Sequence, residues 1–171
     1  MIYNIPPFTG LKLAPETVIK IAGLSERVVG YKDSSAALND FMKVLPKFKD
    51  TPFSVLQGAT PQALPSLMLG ADGFVPALAP CFPELFSAAY DAGISGDYDR
   101  MWKYDRLIAE SSKILGMTKN GTAAAKYAIS LRGFTRKDVI MPQDFTLPED
   151  EARIREQVAK VDEMYAAVKA G

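Results

Sequence analysis

The sequence predicts an α/β fold with a parallel sheet covered by helices, on the strength of three observations. Four short apolar runs are each followed by a segment with apolar residues at helical spacing. This strand–helix unit recurs about every two dozen residues. The runs are almost continuously apolar, which is typical of strands in a parallel sheet that are buried on both faces. Helices would then return the chain from each strand to the next.

The four predicted strands share β-branched or aromatic residues and are bounded by turn-forming residues. They span residues 1–5, 28–32, 53–58 and 73–77. A turn-rich stretch at 6–10 closes the first strand. The fourth is expected to be short, because Pro76 has no N–H to donate to a strand ladder.

Each strand is followed by a predicted helix whose limits are marked by residue types common at helix ends. These helices span residues 14–24, 36–45, 60–69 and 83–92. Pro15 suits the first turn of the first helix, and either Ser34 or Ser35 is placed to cap the second. Pro46 is expected to end the second helix, and Gly70 supplies a stop signal for the third.

From Gly93 onward the strand pattern stops and only helical patterns remain. Three helices are predicted, running to about residue 115, from 121 to 132, and from 148 to about 169. Asp97 is placed to cap the first, and a loop containing Pro142 precedes the last. The sequence therefore predicts two regions, residues 1–93 with the sheet and residues 94–171 with helices alone.

Composition limits the possible partners and compartments. The 171 residues include 20 basic and 20 acidic side chains, so the formal net charge is zero. This balance provides no electrostatic attraction to nucleic acid or to an anionic membrane, and neither is expected as a partner. No apolar run reaches the length of a membrane span, and no secretory signal pattern precedes the first strand. A soluble cytoplasmic protein is expected.

The near absence of two residue types limits the chemistry further. The chain has no histidine and one cysteine, Cys81, which argues against an internal disulfide, a zinc site and a histidine-based nucleophile triad. No metal or cofactor is expected. Proton transfer would have to use lysine, tyrosine, carboxylate groups or water.

Tyr3 and Lys32 stand at the carboxyl ends of consecutive predicted strands, the edge where parallel α/β folds place their chemistry. Burial favours the neutral form of a lysine, and a neutral amine can attack a carbonyl group to form a Schiff base. Gly58, at the end of the third strand, would allow close approach to a small ligand. Simpler readings exist: Lys32 could extend into solvent, Tyr3 could be an ordinary half-buried aromatic, and Gly58 could make a turn.

Two motifs resemble those of the dihydrodipicolinate synthase / N-acetylneuraminate lyase family. Residues 3–10, YNIPPFTG, resemble its Y-N-x-P-x-x-T-G motif, and residues 29–35, VGYKDSS, resemble the G-x-K-D/E-S/T segment that carries its Schiff-base lysine. Residues 53–58 and 70–75 match the next two strands of the family in order and spacing. Residues 126–142 resemble its C-terminal helix and the run into a proline.

The resemblance implies a class I, lysine-dependent aldolase or lyase that acts on pyruvate or another 2-keto acid together with an aldehyde, as a homo-oligomer. Lys32 would form the Schiff base and Tyr3 would relay protons. Thr9, the backbone near Gly58 and the carbonyl of Val75 would face the substrate. The implied fold is a partial TIM (β/α)8 barrel, strands five to eight with their helices, followed by a C-terminal helical extension.

Two departures from the family pattern shape these expectations. Phe8 stands where the synthase proper carries an arginine for the carboxylate of the aldehyde partner, which favours another aldolase or lyase branch. A complete barrel takes roughly 250 residues, so the resemblance implies the C-terminal half only.

The alternative to a truncated aldolase is a catalytically silent half-barrel that associates with itself or with a complementary half. A doubly wound domain that binds a phosphate ligand is a weaker alternative, because the sequence has no glycine-rich phosphate loop of the usual spacing.

Overall fold

The computed structural model describes residues 1–140 and 146–170, and its sheet confirms the predicted α/β class. Four strands lie in the order β1–β2–β3–β4, and each neighbouring pair is parallel. They are β1 (Ile2–Asn4), β2 (Gly30–Asp33), β3 (Ser54–Gln57) and β4 (Gly73–Phe74). All four predicted strands form, and each is shorter than its apolar run. Parallel neighbours require a crossover, which the intervening helices supply.

Four helices accompany the sheet. They are α1 (Pro6–Thr9), α2 (Pro15–Ala22), α3 (Leu38–Phe48) and α4 (Ala63–Met68), the last preceded by a 3₁₀ turn at Thr60–Gln62. The stretch predicted as a turn after β1 is the single helical turn α1. It ends at Gly10, which adopts a left-handed φ of 68° and donates its N–H to the carbonyl of Pro6.

The expectation that Pro46 ends its helix is wrong, because α3 continues through this residue to Phe48. A proline inside a helix removes one backbone hydrogen bond. The helix nevertheless buries Phe41, Val44 and Leu45 in the core. Helical stability in proteins comes mainly from such packing, which here outweighs the lost bond.

The C-terminal part of the chain is helical, as predicted. Its helices are α5 (Pro83–Ser95), α6 (Tyr98–Ser112), α7 (Gly121–Leu131) and α8 (Pro148–Ala170). The predicted cap at Asp97 is confirmed, since its carboxylate accepts the N–H of Arg100. The α-helix after it ends sooner than predicted, and a 3₁₀ turn at Lys113–Gly116 follows. The predicted loop residue Pro142 lies outside the described residues.

The chain divides into two compact units, Met1–Pro76 and Ala77–Gly171. The first contains the sheet with α1–α4, and the second contains α5–α8. The expected division into a half-barrel of residues 1–93 and a helical region of residues 94–171 remains a prediction. Among the described residues, no helix is both long enough and apolar enough to cross a membrane.

The core of the first unit lies on one face of its sheet. Buried side chains from β2, β3, α2, α3 and nearby segments form it: Val18, Tyr31, Phe41, Val44, Leu45, Phe53, Val55 and Ala71. Successive strand residues point to opposite faces. Tyr3, Lys32 and Leu56 are register partners and alternate with these core positions, so they lie on the other face. This second face carries the candidate active site.

Candidate active site

Tyr3 and Lys32 are direct partners in the parallel ladder between β1 and β2. The ammonium group of Lys32 donates a hydrogen bond to the phenol oxygen of Tyr3 at 3.2 Å. The same nitrogen lies 4.3 Å from the centroid of the Tyr3 ring, which is within the range of a cation–π contact. The structure therefore brings together the two side chains that the sequence singled out.

This pair is only partly withdrawn from solvent in the described chain. Lys32 is half-buried, and Tyr3 is 46% exposed. Lys32 does not simply extend away into water, because its ammonium group is held against Tyr3. The surroundings that the described chain supplies therefore remove Lys32 only partly from water.

Ser34 is a third member of the cluster, which the sequence analysis considered only as a helix cap. Its hydroxyl donates to the phenol oxygen of Tyr3 at 3.3 Å. Its backbone N–H donates to the carbonyl of Asn4 at 2.8 Å, so the chain remains aligned with β1 beyond the end of β2. Ser34 follows Lys32 by two positions, and residues two apart on an extended chain share a face. That spacing was a signal in the sequence.

Gly58 lies against this cluster and leaves space for it. A β-carbon at Gly58 would lie 2.1 Å from the Ser34 hydroxyl oxygen, 2.9 Å from Cε of Lys32 and 3.0 Å from the carbonyl oxygen of Asp33. The N–H of Gly58 donates to that carbonyl at 2.6 Å. Close approach, rather than a special turn conformation, is therefore what requires glycine here.

The other sequence-predicted site residues are placed differently. The hydroxyl of Thr9 donates to the carbonyls of Leu11 at 3.0 Å and Ile5 at 3.2 Å, which stabilises the turn after α1. Val75 directly follows β4, is 46% exposed and donates its N–H to the carbonyl of Gln57 at 2.8 Å. Within the described residues, neither side chain forms a hydrogen bond with Lys32 or Tyr3. Phe8 is 75% exposed on α1.

A layer of buried polar side chains supports the strand ends from the opposite face. Asn4, Asp33 and Gln57 are register partners, and each is at most 2% exposed. The amide of Asn4 donates to the Asp33 carboxylate at 2.9 Å, and Ser35 donates to the same carboxylate through its N–H and its hydroxyl. Buried polar groups are stable only when paired in this way. The sequence analysis missed the layer, although three polar residues at equivalent strand ends were visible.

This layer also affects Tyr31, whose ring belongs to the core cluster. Burial, followed by the neighbouring negative charge of Asp33, raises the pKa of the Tyr31 phenol above its ordinary value. Tyr31 is thus a neutral structural residue at physiological pH. The candidate reactive phenol is Tyr3, on the other face of the sheet.

The chemistry available at the site is that of an amine, a phenol and an aliphatic hydroxyl. An amine can form a covalent bond to a carbonyl compound, and a phenol can transfer protons. Across residues 1–140 and 146–170, no group of three or more histidine, cysteine, aspartate or glutamate side chains is arranged to hold a metal ion.

The chain is similar to several known proteins over most of its length. A 4-hydroxy-tetrahydrodipicolinate synthase from Streptomyces coelicolor is 34% identical over 145 residues, which cover 83% of this chain and 46% of that protein. The dihydrodipicolinate synthase of Bacteroides thetaiotaomicron has 29% identity and a TM-score of 0.83, over 92% of this chain and 54% of its own. The Aquifex aeolicus synthase has 27% identity and a TM-score of 0.84, over 94% and 54%.

The chain spans about half the length of the curated relatives it matches. A model of the dihydrodipicolinate synthetase family matches residues 1–161, which include both strand-end motifs, helices α5–α7 and the first part of α8. The chain therefore belongs to the dihydrodipicolinate synthetase family.

Proposed function

We propose that this chain supplies the Schiff-base half of a class I aldolase or lyase that acts on pyruvate or another 2-keto acid. The observation that carries the proposal is the 3.2 Å hydrogen bond between Lys32 and Tyr3 at the carboxyl ends of parallel strands. Family membership supports it, since a relative that matches 93% of this chain is named as a 4-hydroxy-tetrahydrodipicolinate synthase.

In the proposed reaction, the neutral amine of Lys32 attacks the keto carbon of the substrate and forms a carbinolamine. Tyr3 gives its proton to the carbinolamine oxygen, which leaves as water while the nitrogen lone pair forms the C=N bond. The product is a protonated imine beside a phenolate. The Tyr3 phenolate takes a proton from the adjacent carbon, which gives an enamine. The electron pair of the enamine attacks the aldehyde carbon, and the Tyr3 phenol returns the proton to the new alkoxide oxygen. The reverse sequence cleaves the same C–C bond.

The remaining site residues have proposed supporting roles. Gly58 leaves room for the lysine stem, since a β-carbon there would lie 2.9 Å from Cε of Lys32. Val75 would present its carbonyl to the substrate from the end of β4. Thr9 would shape the turn that follows Tyr3, because its hydroxyl bonds two carbonyls of that turn.

The proposed fold of the complete assembly is a (β/α)8 barrel to which this chain contributes strands five to eight. Four parallel strands in sequential order support this, as does the length of the relatives, about twice that of this chain. The face that carries Lys32 would be the barrel interior. Closure of the barrel would remove Lys32 further from water, which favours the neutral amine.

Borohydride trapping tests the proposal. Incubation with pyruvate and sodium borohydride should add one reduced pyruvate, located at Lys32 by peptide mass spectrometry. Lys32→Arg should abolish this adduct, because a guanidinium group stays protonated and cannot attack. Tyr3→Phe should slow adduct formation by roughly 10²–10⁴-fold, the usual contribution of a proton relay.

Lys20→Arg is the matched control, because Lys20 is exposed on α2. The yield of the adduct at Lys32 should be the same in Lys20→Arg as in the unchanged protein. Labelling spread evenly over the exposed lysines, with no preference for Lys32, would contradict the proposal.

A catalytically silent half-barrel is the second candidate function. The partial exposure of the site face favours it: Tyr3 and Val75, at opposite ends of the sheet, are each 46% exposed. Such a chain would act by associating with itself or with a complementary half. Association without any Lys32 adduct, even after a complementary half is added, would favour this candidate over the enzyme.

A further inference from the structure

We infer that Ser34 is the positioning residue for Tyr3, holding its phenol oxygen over Lys32 and stabilising the phenolate that proton transfer creates. The catalytic part of this inference rests on the proposed function. The structural part rests on geometry alone, since the side chains of Lys32 and Ser34 both form hydrogen bonds with the phenol oxygen of Tyr3.

Two donors converge on the phenol oxygen of Tyr3. The Ser34 hydroxyl lies 3.3 Å from it and the Lys32 ammonium nitrogen 3.2 Å. With both lone pairs of the oxygen accepting, the phenol O–H is left as the donor. It is then free to donate to a group covalently attached at the Lys32 nitrogen. Ser34 thereby orients the O–H bond of Tyr3 toward the group on Lys32 that receives the proton.

The serine also matters after the proton has moved. When Tyr3 gives its proton to the carbinolamine oxygen and water leaves, the phenol oxygen keeps the electron pair and becomes negatively charged. Hydrogen bonds to a charged acceptor are about twice as strong as those between neutral groups. The Ser34 O–H therefore binds the phenolate more strongly than the phenol, which is the condition for accelerating the step.

The surroundings of Ser34 are shaped around its hydroxyl. A β-carbon at Gly58 would lie 2.1 Å from this oxygen, far inside van der Waals contact. The backbone on both sides of the oxygen is held, since the N–H of Ser34 bonds Asn4 and the N–H of Gly58 bonds Asp33. A larger residue at position 58 would displace the serine hydroxyl from Tyr3. The absence of a side chain at Gly58 therefore leaves room for the Ser34 hydroxyl as well as for the stem of Lys32.

The test is a double-substitution cycle read by the rate of borohydride trapping at Lys32. Ser34→Ala should lower the rate by about 10- to 100-fold, which corresponds to loss of a hydrogen bond to a charged group. Ser34→Thr keeps the hydroxyl and should restore most of the rate. In a Tyr3→Phe background, Ser34→Ala should change the rate by less than about twofold, because the oxygen on which it acts is absent.

Two results would overturn the inference. An unchanged rate in Ser34→Ala shows that the hydroxyl has no role, and an equal loss in the Tyr3→Phe background shows that it acts independently of Tyr3. Gly58→Ala should lower the rate at least as far as Ser34→Ala, because its β-carbon would displace the Ser34 hydroxyl and would also crowd Cε of Lys32. Gly116→Ala is its control, because a β-carbon there meets nothing within 4 Å.

A second measurement separates this inference from the proposed function. If Lys32 gives no adduct in the unchanged protein, the enzyme proposal fails, but the position of the Tyr3 phenol can still be tested. With selectively labelled tyrosine, NMR compares the Tyr3 ring resonances of the unchanged protein, Ser34→Ala and Ser34→Thr. Ser34→Ala should shift the Tyr3 resonances, whereas Ser34→Thr should leave them close to their original positions. Identical Tyr3 resonances in all three proteins would show that Ser34 does not position the phenol.

Discussion

Asn4 connects three segments of the first unit through one buried amide. Its nitrogen donates to the Asp33 carboxylate at 2.9 Å and to the Tyr31 hydroxyl at 3.4 Å, and its oxygen accepts the N–H of Leu13 at 3.1 Å. This residue therefore fixes the end of β1 against β2 and against the approach to α2. Tyr3, the residue before it, is held in position by the same contacts.

Asn4→Ala should lower the free energy of unfolding by about 1–3 kcal/mol, because it removes one hydrogen bond from the buried Asp33 carboxylate and the acceptor of the Leu13 N–H. Urea unfolding followed by circular dichroism measures the change. Asn39→Ala, at an exposed position of α3, is the control and should stay within about 0.5 kcal/mol of the unchanged protein. Equal stability of the two variants would contradict this account of Asn4.

At the scale of elements, Glu110 connects α6 to α8. Its carboxylate accepts from Lys113 at 2.5 Å, from Lys160 at 2.9 Å and from the Gln157 amide at 3.3 Å. Hydrogen bonds from Lys113 and Lys160, in that order of size, lower the pKa of Glu110 from its ordinary value of 4.5 to about 2. The carboxylate form is therefore favoured in the folded protein.

A carboxyl group whose pKa is lower when folded stabilises the protein above its unfolded pKa and loses that effect as pH falls toward the folded value. Glu110→Gln should therefore be less stable than the unchanged protein at pH 7. The difference should shrink between pH 4.5 and about 2. Urea unfolding at pH 7, 4.5 and 3 measures it. Because the group is near the surface, added salt should also reduce the difference.

The control is Glu163→Gln, which removes an exposed carboxylate on α8. Its stability should follow that of the unchanged protein across the same pH range. A difference for Glu110→Gln that stayed constant down to pH 3 would show that the charge of Glu110 is not the source of the stabilisation.

At the scale of the whole molecule, the sheet has two ends. In the described residues, β1 and β4 each pair with one neighbouring strand only. Unpaired strand edges expose N–H and C=O groups and invite association with another chain. The half-exposed side chains of Tyr3 and Val75 lie at these two ends.

We expect the isolated chain to be oligomeric in solution, with a mass by light scattering above the 18.6 kDa of one chain. Val75→Asp should weaken this association, because it places a charge beside the exposed end of β4. Leu24→Asp, at a position after α2 that is 73% exposed, should leave it unchanged. A monodisperse monomer with well-dispersed NMR spectra would contradict the expectation.

Local patterns were enough to predict the elements and the candidate lysine. Apolar runs and helical spacing indicated every strand and every helix except α1, and the cap at Asp97 was identified because capping depends on adjacent residues. Lys32 and Tyr3 were singled out because strand ends in a parallel sheet share one edge, and their proposed roles came from the family resemblance. These signals lie within a few residues along the chain, so the sequence by itself determines them.

The tertiary structure decided what depends on distant partners. Packing of Phe41 and its neighbours carries α3 through Pro46, against the local signal. The contact of Ser34 with Tyr3 joins residues 31 positions apart, and the space at Gly58 exists only once β3 lies beside β2. Such contacts are set by strand register, which brings separate segments within ångströms of each other. No single segment of the sequence contains that information.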